Sequence, residues 1–273
     1  MTAFFKLLTE LSSRKTVSRL TGRLAKSRLS KLLIARFAKT YRIDVSEAER
    51  PLASYRTLNE FFTRRLKPRA RPLDATPDAI LSPVDAVITG IGPITDGMML
   101  SVKGQDYTVS EMLQDESRAQ QFQNGFFFVL YLSPRDYHRI HVPVSGTIRE
   151  KRHLPGKVYP VNEFGLTKMT RVLSRNERLI SYIRPEIDGA EGSELEVAVV
   201  KVGALNVSSI QYVTPLPDKV ASGDELAYFE FGSTIVLLIE GSRFQADASL
   251  QVGSAVKMGE RLGIFIQEDN QRA

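Results

Sequence analysis

The chain has 273 residues and a formal charge of +6 at pH 7, from 37 Lys and Arg against 31 Asp and Glu. Its 42% hydrophobic and 25% charged fractions are typical of a folded globular protein and argue against global disorder. Because the chain contains no cysteine, disulfides, a thiolate nucleophile and cysteine-ligated zinc are excluded.

The positive charge is concentrated at the N-terminus, where residues 1–42 contain eleven Lys and Arg but only one acidic residue. In this segment Leu29, Leu33, Phe37 and Tyr41 recur every fourth residue with Ile34 beside them, which predicts a helix with an apolar face and cations on the opposite face. Leu32 lies off that apolar face. The pattern therefore predicts a basic amphipathic helix.

Three interpretations of this helix are open. It can lie on an anionic membrane surface, bind nucleic-acid phosphates, or pack its apolar face on its own domain. We favour the membrane surface, without nucleic acid, and expect residues 1–45 to form this segment and residues 46–273 the remaining domain. The longest apolar run, "GFFFVLYL", is far shorter than the roughly 20 residues of a spanning helix, and we expect no secretory signal peptide.

Two helix starts follow. Thr57 with Glu60, and Thr108 with Glu111, have the spacing of a capping box, and we expect the second helix to run to about Ala119. From there on, short segments rich in β-branched and aromatic residues are separated by Gly, Pro, Asn and Asp. No helical pattern alternates with them, so the sequence predicts an α+β fold in which N-terminal amphipathic helices precede a mainly antiparallel β domain from about residue 70.

Two of the three histidines lie together in "YLSPRDYHRIHVPVSG", as His138 and His141. The nearby prolines argue against a helix, so we expect the pair where a strand meets a loop, with the two imidazoles playing different parts. A metal site with Asp136 or Asp85 as a third ligand is an alternative that we do not favour, because no third histidine stands at a ligand spacing. On its own, Asp85 in "LSPVDAVITG" indicates only a turn before a strand.

The stretch "EFGSTIVLL" (230–238) places Gly-Ser-Thr at the start of an apolar strand. Gly232 has no Cβ, so its carbonyl carbon is open to close approach, and the hydroxyl of Ser233 follows the same peptide bond. From this stretch alone, a tight turn before a buried strand is the simpler interpretation. The Gly-x-Ser-x-Gly elbow of serine hydrolases is absent.

Several motifs occur in an order that resembles phosphatidylserine decarboxylase proenzymes of the bacterial and mitochondrial type. They are "NEFFTRRLKPRARPLD" (59–74), "SPVDAVITG" (82–90), "SVKGQDYTVSEML" (101–113), "FFVLYLSPRDYHRIHVPVSG" (127–146), "VNEFGL" (161–166), "RNERLI" (175–180), "VVKVGALNVSSI" (199–210) and "GDELAYFEFGSTIVLL" (223–238). The departures are Ala86 where the family often has Gly, Ser208-Ser209 where it often has Gly-Ser, and Phe231 where it often has Leu.

The resemblance implies that the chain cuts itself between Gly232 and Ser233, into a β chain (1–232) and an α chain (233–273). The Ser233 hydroxyl would attack the Gly232 carbonyl, and elimination and hydrolysis would leave Ser233 as a covalent pyruvoyl group, with no metal cofactor. The family's Asp-His-Ser set falls on Asp85, His141 and Ser233, with His141 as the base.

The resemblance also implies that the pyruvoyl group forms a Schiff base with phosphatidylserine and accepts the electron pair left when carbon dioxide departs. The product would be phosphatidylethanolamine. It points to His138 as the residue that transfers a proton to the reacting carbon.

For the whole protein, the resemblance implies a peripheral enzyme on the cytoplasmic face of the cell membrane, acting on phosphatidylserine in the bilayer, with a homodimer of cleaved units as a family expectation. Two rival functions are a membrane-associated hydrolase that uses intact Ser233 and His141, and a non-enzymatic membrane-binding β domain. Both rivals predict an uncut chain.

Overall fold

A computed structural model describes the chain at residues 22–95, 98–102, 104–159, 161, 169–187, 195–204, 210–230 and 233–266, with the backbone alone at 98–101 and 233. Five α-helices are described: α1 (Ile34–Tyr41), α2 (Leu58–Phe62), α3 (Val109–Leu113), α4 (Glu116–Gln121) and α5 (Val172–Arg175). Residues 22–26 are also helical. Short 3-10 helices lie at Arg28–Leu33, Val45–Glu47 and Leu52–Ser54.

The described part of the chain has sixteen strands. In chain order they are β1 (Ala79–Leu81), β2 (Ala86–Pro93), β3 (Met98–Val102), β4 (Gln105–Thr108), β5 (Phe126–Leu132), β6 (Arg139–His141), β7 (Gly146–Leu154), β8 (Arg178–Pro185), β9 (Val197–Gly203), β10 (Ile210–Tyr212), β11 (Lys219–Val220), β12 (Glu225–Phe229), β13 (Ser233–Ile239), β14 (Phe244–Ala246), β15 (Ala255–Val256) and β16 (Arg261–Phe265).

An eight-stranded sheet forms the body of the protein, in the order β11-β7-β8-β9-β13-β5-β2-β15. Its neighbouring strands all pair antiparallel. Two three-stranded sheets, β10-β12-β6 and β1-β16-β14, and a β3-β4 ladder complete the described sheets. The prediction of an α+β fold with a mainly antiparallel β domain is therefore confirmed.

Hydrophobic cores cover both faces of the large sheet. One core joins alternate sheet residues such as Val200 and Val236 to helices α3, α4 and α5. The other joins the intervening residues, such as Val199 and Ile235, to the small sheets. Because both faces are covered, every residue of the central strand β9 is buried, which explains its nearly continuous apolar sequence.

The capping residues that the sequence indicates are present. The Thr57 hydroxyl accepts a hydrogen bond from the Glu60 amide at the start of α2, and Thr108 with Glu111 forms a full capping box at α3. The prediction that the second helix continues to Ala119 is wrong in one respect. Gln114 adopts the left-handed conformation, with φ 49°, and separates α3 from α4.

The predicted N-terminal helix differs from the structure in its buried face. It is a 3-10 helix followed by α1, and its buried side chains are Ser30, Ile34 and Ala38. The stripe at Leu29, Leu33 and Tyr41 is exposed, as is Leu32. Of the predicted apolar face, Ile34 is buried and Phe37 packs against the same hydrophobic cluster. The alternative that this face packs on its own domain therefore holds for these two residues and is wrong for Leu29, Leu33 and Tyr41.

A third hydrophobic cluster crosses the expected boundary between residues 45 and 46. It joins Ile34, Ala38 and Ile43 to Tyr55, Leu58 and Phe61. In addition, the Leu58 amide donates to the Ser30 hydroxyl at 2.9 Å. The part of the N-terminal segment that the structure describes is therefore packed on the start of the following region.

Candidate active site

Ser233 is the first residue of β13, between β5 and β9. Its backbone is in register with Leu132 on one side and Gly203 on the other. Phe231, Gly232 and the side chain of Ser233 lie outside what the structure describes, so the predicted cleavage bond itself is not seen. The strand pairing nevertheless fixes which parts of the chain surround this position.

A tight turn after β5 carries His138. The Asp136 carboxylate accepts hydrogen bonds from the amide and hydroxyl of Ser133, both at 2.7 Å, which closes the turn. The His138 carbonyl accepts from the Phe229 amide at 3.1 Å. His138 is thereby tied to the strand that ends four residues before Ser233.

The His138 ring is fully buried and keeps one nitrogen free. Its Nδ1 donates to the Asp136 carbonyl at 2.8 Å, because a carbonyl oxygen can only accept. Within the part of the chain that the structure describes, its Nε2 has no hydrogen-bond partner. The Phe62 ring packs against the imidazole, with ring centroids 4.0 Å apart. Burial, with a smaller effect from the charge of Arg64, lowers the pKa of His138 to about 3. The ring is therefore neutral at pH 7 and presents an unshared electron pair.

The neighbouring His141, at the end of β6, is bonded at both ring nitrogens. Its Nδ1 donates to the Gly223 carbonyl at 2.7 Å, and its Nε2 accepts from the Tyr137 hydroxyl at 3.1 Å. Burial lowers its pKa as well, against a raising effect of the Gly223 hydrogen bond. His141 is a neutral imidazole whose basic nitrogen, Nε2, is covered by a phenol.

Asp85 lies close to His141 but is bonded elsewhere. The His141 amide donates to the Pro83 carbonyl at 2.8 Å, which brings the Asp85 turn beside β6. The Asp85 carboxylate accepts from Arg71, with a shortest distance of 2.6 Å, and from the Met258 amide at 2.9 Å. The structure thus places the two residues side by side without joining carboxylate to imidazole, although the Asp85 charge acts to raise the pKa of His141.

Three groups in this arrangement were missed by the sequence analysis: Arg71, Tyr137 and the Gly223 carbonyl. The Arg71 side chain is 6% exposed and bridges Asp85 and Glu47. Burial opposes its charge, but the hydrogen bonds that Arg71 donates to both carboxylates outweigh that effect and raise its pKa. Arg71 and Tyr137 lie within the quoted motifs 59–74 and 127–146, which is the only signal that could have identified them.

A buried carboxylate also connects the site to the N-terminal segment. Glu230, two residues before Gly232, forms an ion pair with Lys26 at 2.8 Å. Its other oxygen lies 3.5 Å from the Asn59 amide nitrogen. Within the described residues, no cluster of three or more His, Asp or Glu side chains is arranged to hold a metal ion.

Comparison with known proteins identifies the family to which the chain belongs. A family model described as phosphatidylserine decarboxylase matches residues 58–264. A Geobacillus kaustophilus protein named phosphatidylserine decarboxylase proenzyme is 44% identical over 263 residues, covering 96% of this chain and 97% of that protein. A Brevibacillus brevis protein of the same name is 41% identical over 278 residues, covering 94% and 97%, and a Bacillus cereus protein, also so named, is 40% identical over 258 residues, covering 94% and 95%.

These matches show that the chain is an enzyme, a decarboxylase that is made as a proenzyme. It belongs to the phosphatidylserine decarboxylase family.

Proposed function

We propose that this enzyme decarboxylates phosphatidylserine to phosphatidylethanolamine after cutting itself between Gly232 and Ser233. The observation that carries the proposal is the convergence of two neutral, buried imidazoles, His138 and His141, on the chain that leads to Ser233. The names of the relatives, which are proenzymes, agree with it.

We assign the base in self-cleavage to His141. A neutral imidazole with its Nδ1 proton held by the Gly223 carbonyl has its electron pair on Nε2. That nitrogen would take the proton of the Ser233 hydroxyl as it attacks the Gly232 carbonyl, once the Tyr137 hydroxyl has moved away. Asp85 would stabilise the imidazolium through its nearby charge rather than through a hydrogen bond.

The group that we expect at position 233 is a pyruvoyl, which supplies an electron-accepting carbonyl next to an amide. Its origin from Ser233 places it at the start of β13, where it would be held by the backbone pairing with β5 and β9. No metal or diffusible cofactor is needed for this assignment.

We assign proton transfer in decarboxylation to His138. Because burial lowers its pKa to about 3 from an ordinary value near 6.5, the ring does not hold a proton at pH 7. The free Nε2 would instead accept a proton from the substrate's ammonium group and return it to the reacting carbon.

The experiment is the intact mass of the purified protein under denaturing conditions. Two species are expected, residues 1–232 and residues 233–273, with the shorter one lighter by one ammonia than its serine-initiated sequence. A single uncut chain in well-folded, prolonged incubations would contradict the proposal and favour a hydrolase or a binding domain.

We also infer that the N-terminal segment docks on the anionic, cytoplasmic face of the cell membrane. Leu32 is 82% and Leu29 is 73% exposed, and the exposed cations Arg28, Lys31 and Lys39 lie on the same short stretch. Apolar side chains beside cations match the interface of an anionic bilayer. Among the described helices none is long and apolar enough to span a membrane.

Flotation with vesicles tests this inference, with phosphatidylglycerol as the anionic lipid because it is not the proposed substrate. Binding should be strong to anionic vesicles, weak to phosphatidylcholine vesicles, and lower in high salt. Leu29→Ser with Leu32→Ser should weaken it, whereas Val252→Ser, at an exposed apolar residue of the β body, should not. Binding that ignores both lipid charge and salt would contradict the inference.

A further inference from the structure

Glu230 is a buried carboxylate on the short piece of chain that leads to the proposed cleavage bond. It directly follows β12, and only 7% of its side chain is exposed. β12 pairs with β6 and β10, whereas β13, which starts at Ser233, pairs with β5 and β9. The chain therefore passes from one sheet to another between Phe229 and Ser233, and Glu230 is the first residue of that passage.

Two groups from the N-terminal part of the chain hold the Glu230 carboxylate. Lys26 Nζ forms an ion pair with one of its oxygens at 2.8 Å, and the Asn59 amide nitrogen lies 3.5 Å from the other oxygen. Because an unpaired buried charge is costly, a carboxylate that is largely removed from water requires such partners. The Lys26 side chain is 48% exposed, so an exposed cation of the N-terminal segment neutralises a buried anion next to the cleavage bond.

The helix that carries Asn59 also contacts the catalytic turn. Asn59 and Phe62 are three residues apart in α2 and therefore lie on the same side of the helix. The Phe62 ring packs against the His138 imidazole, and the His138 carbonyl accepts a hydrogen bond from the Phe229 amide. Phe229 and Glu230 are the last residues before the cleavage bond that the structure describes. Helix α2 and the His138 turn thus fix both of them.

The N-terminal segment and α2 form one packed unit. The Leu58 amide donates to the Ser30 hydroxyl at 2.9 Å, and Ile34 and Ala38 share a hydrophobic cluster with Leu58 and Phe61. Lys26 precedes Ser30 by four residues. The two contacts to Glu230, from Lys26 and from α2, therefore come from one folded surface.

The cleavage bond lies between this surface and the large sheet. Gly232 is two residues after Glu230, so the Cα atoms of these residues can be no more than about 7 Å apart. On the other side, strand pairing holds the backbone of Ser233 in β13. Attack of a hydroxyl on the preceding carbonyl depends on orientation, and a misplacement of about 1 Å can slow a reaction about 10²-fold. Anchors on both sides of the bond restrict its orientation.

We propose that Glu230, held by Lys26 and Asn59, is a positioning residue for self-cleavage, which orients the Gly232 carbonyl toward the Ser233 hydroxyl. This inference rests on the proposed function. Because Lys26 belongs to the N-terminal segment, the packing of that segment beside Glu230 becomes a requirement for efficient cleavage. The contact acts before the cut and is not needed for the decarboxylation that follows.

The rate of self-cleavage in newly made, full-length protein tests the proposal. The chain is made by cell-free translation, synthesis is stopped with an inhibitor, and intact mass follows the conversion of the full chain to residues 1–232 and 233–273. Turnover of the processed enzyme is measured separately, per cut chain. Its substrate is soluble dihexanoyl phosphatidylserine without vesicles, so that altered membrane binding does not contribute.

Lys26→Met and Glu230→Gln should each slow cleavage about 3- to 10-fold, and Asn59→Ala about 2- to 5-fold. Turnover per cut chain should stay within about twofold of the wild type in all three. The matched control is Lys219→Met, which removes an exposed lysine from an ion pair with Glu186 and should change neither rate.

Charge exchange distinguishes the ion pair from a general structural need for either residue. Lys26→Glu alone and Glu230→Lys alone place like charges together and should slow cleavage more than about 10-fold. The combined variant restores opposite charges and should cut at least about fivefold faster than either single variant.

The proposal is overturned if Lys26→Met and Glu230→Gln both cut at the wild-type rate, if the exchanged pair cuts no faster than the single variants, or if turnover per cut chain falls as much as cleavage. Lys26→Met, at a half-exposed side chain, keeps the test decisive if a Glu230 variant does not fold. An uncut wild-type chain would overturn the proposed function and this inference together, whereas unaffected variants of a cut wild type would overturn this inference alone.

Discussion

His138, in a turn, and His141, at a strand end, are three residues apart in the chain, yet their imidazole rings differ in their hydrogen bonds. His138 donates through one nitrogen and leaves the other buried and unbonded. His141 is bonded at both nitrogens, to Gly223 and to Tyr137. His141 can accept a proton only after the Tyr137 hydroxyl leaves Nε2, which suits a single event such as self-cleavage. The Nε2 of His138 needs no such change, which suits proton transfer in every catalytic cycle. The difference supports separate roles in cleavage and in turnover.

The largest expected effect separates these roles directly. His141→Ala should remain uncut, because it lacks the base, whereas His138→Ala should be cut and should then turn over about 10²- to 10⁴-fold more slowly than the wild type. Intact mass measures cleavage, and phosphatidylethanolamine formation measures turnover.

His153→Ala is the matched control, since His153 is exposed and bonded to Glu177. It should be cut and active. An uncut His138→Ala chain that is otherwise folded would mean that the two histidines do not divide the work.

The next largest effect concerns Arg71, which bridges Asp85 and Glu47 next to His141. Arg71→Met leaves the Asp85 and Glu47 carboxylates without their cation. Because the cluster is only partly buried, with the Glu47 side chain 30% exposed, the expected loss of stability is about 1 to 3 kcal/mol. Urea unfolding in a Ser233→Ala background, in which the proposed self-cleavage cannot occur, measures the free energy of unfolding. Arg65→Met breaks an exposed pair with Glu225 and should cost less than about 1 kcal/mol. Equal losses in the two variants would show that Arg71 contributes no more than an exposed ion pair.

The pH dependence of stability tests the burial of His138. In the folded protein its pKa is lowered to about 3 from an ordinary value of 6.5. Between these values the unfolded chain binds the proton and the folded protein does not, so the free energy of unfolding falls as the pH falls. His138 should contribute up to about 1.4 kcal/mol per pH unit to this slope in the window from about pH 6 to 4.

His138→Gln in the same Ser233→Ala background should therefore have a flatter profile than its parent, whereas His153→Gln should not differ. Identical slopes in the parent and His138→Gln would mean that His138 is protonated in the folded protein.

The smallest expected effect concerns the hydrogen bond from the Tyr137 hydroxyl to His141 Nε2. Tyr137→Phe removes the hydroxyl from Nε2, so no hydrogen bond has to break before proton transfer, and cleavage should be about 2- to 10-fold faster, the equivalent of about one hydrogen bond. A time course of intact mass measures it. Tyr182→Phe removes a buried hydroxyl that has no hydrogen-bond partner and should leave the rate unchanged. Slower cleavage in Tyr137→Phe would instead make the hydroxyl a positioning group.

Sequence periodicity predicted the fold class well because its signals are local. Alternation of β-branched residues with turn residues marks the strands, and the capping boxes at Thr57 and Thr108 mark two helix starts. The orientation of the N-terminal helix was not predictable in this way. Both Leu29 and Ile34 are apolar, and only the position of Tyr55 and Phe61 in space decides that Ile34 is buried.

The candidate site was also predictable from the sequence only in part. The sequence by itself determined which reactive groups exist, the pair His138 and His141 and the Gly-Ser bond, since these are properties of residue type and adjacency. Only the tertiary structure decided that Asp85 is bonded to Arg71 and that His141 is held by Gly223 and Tyr137. Hydrogen-bond partners far apart in the chain, and the desolvation that shifts a pKa, depend on which strands become neighbours, and no local pattern specifies that.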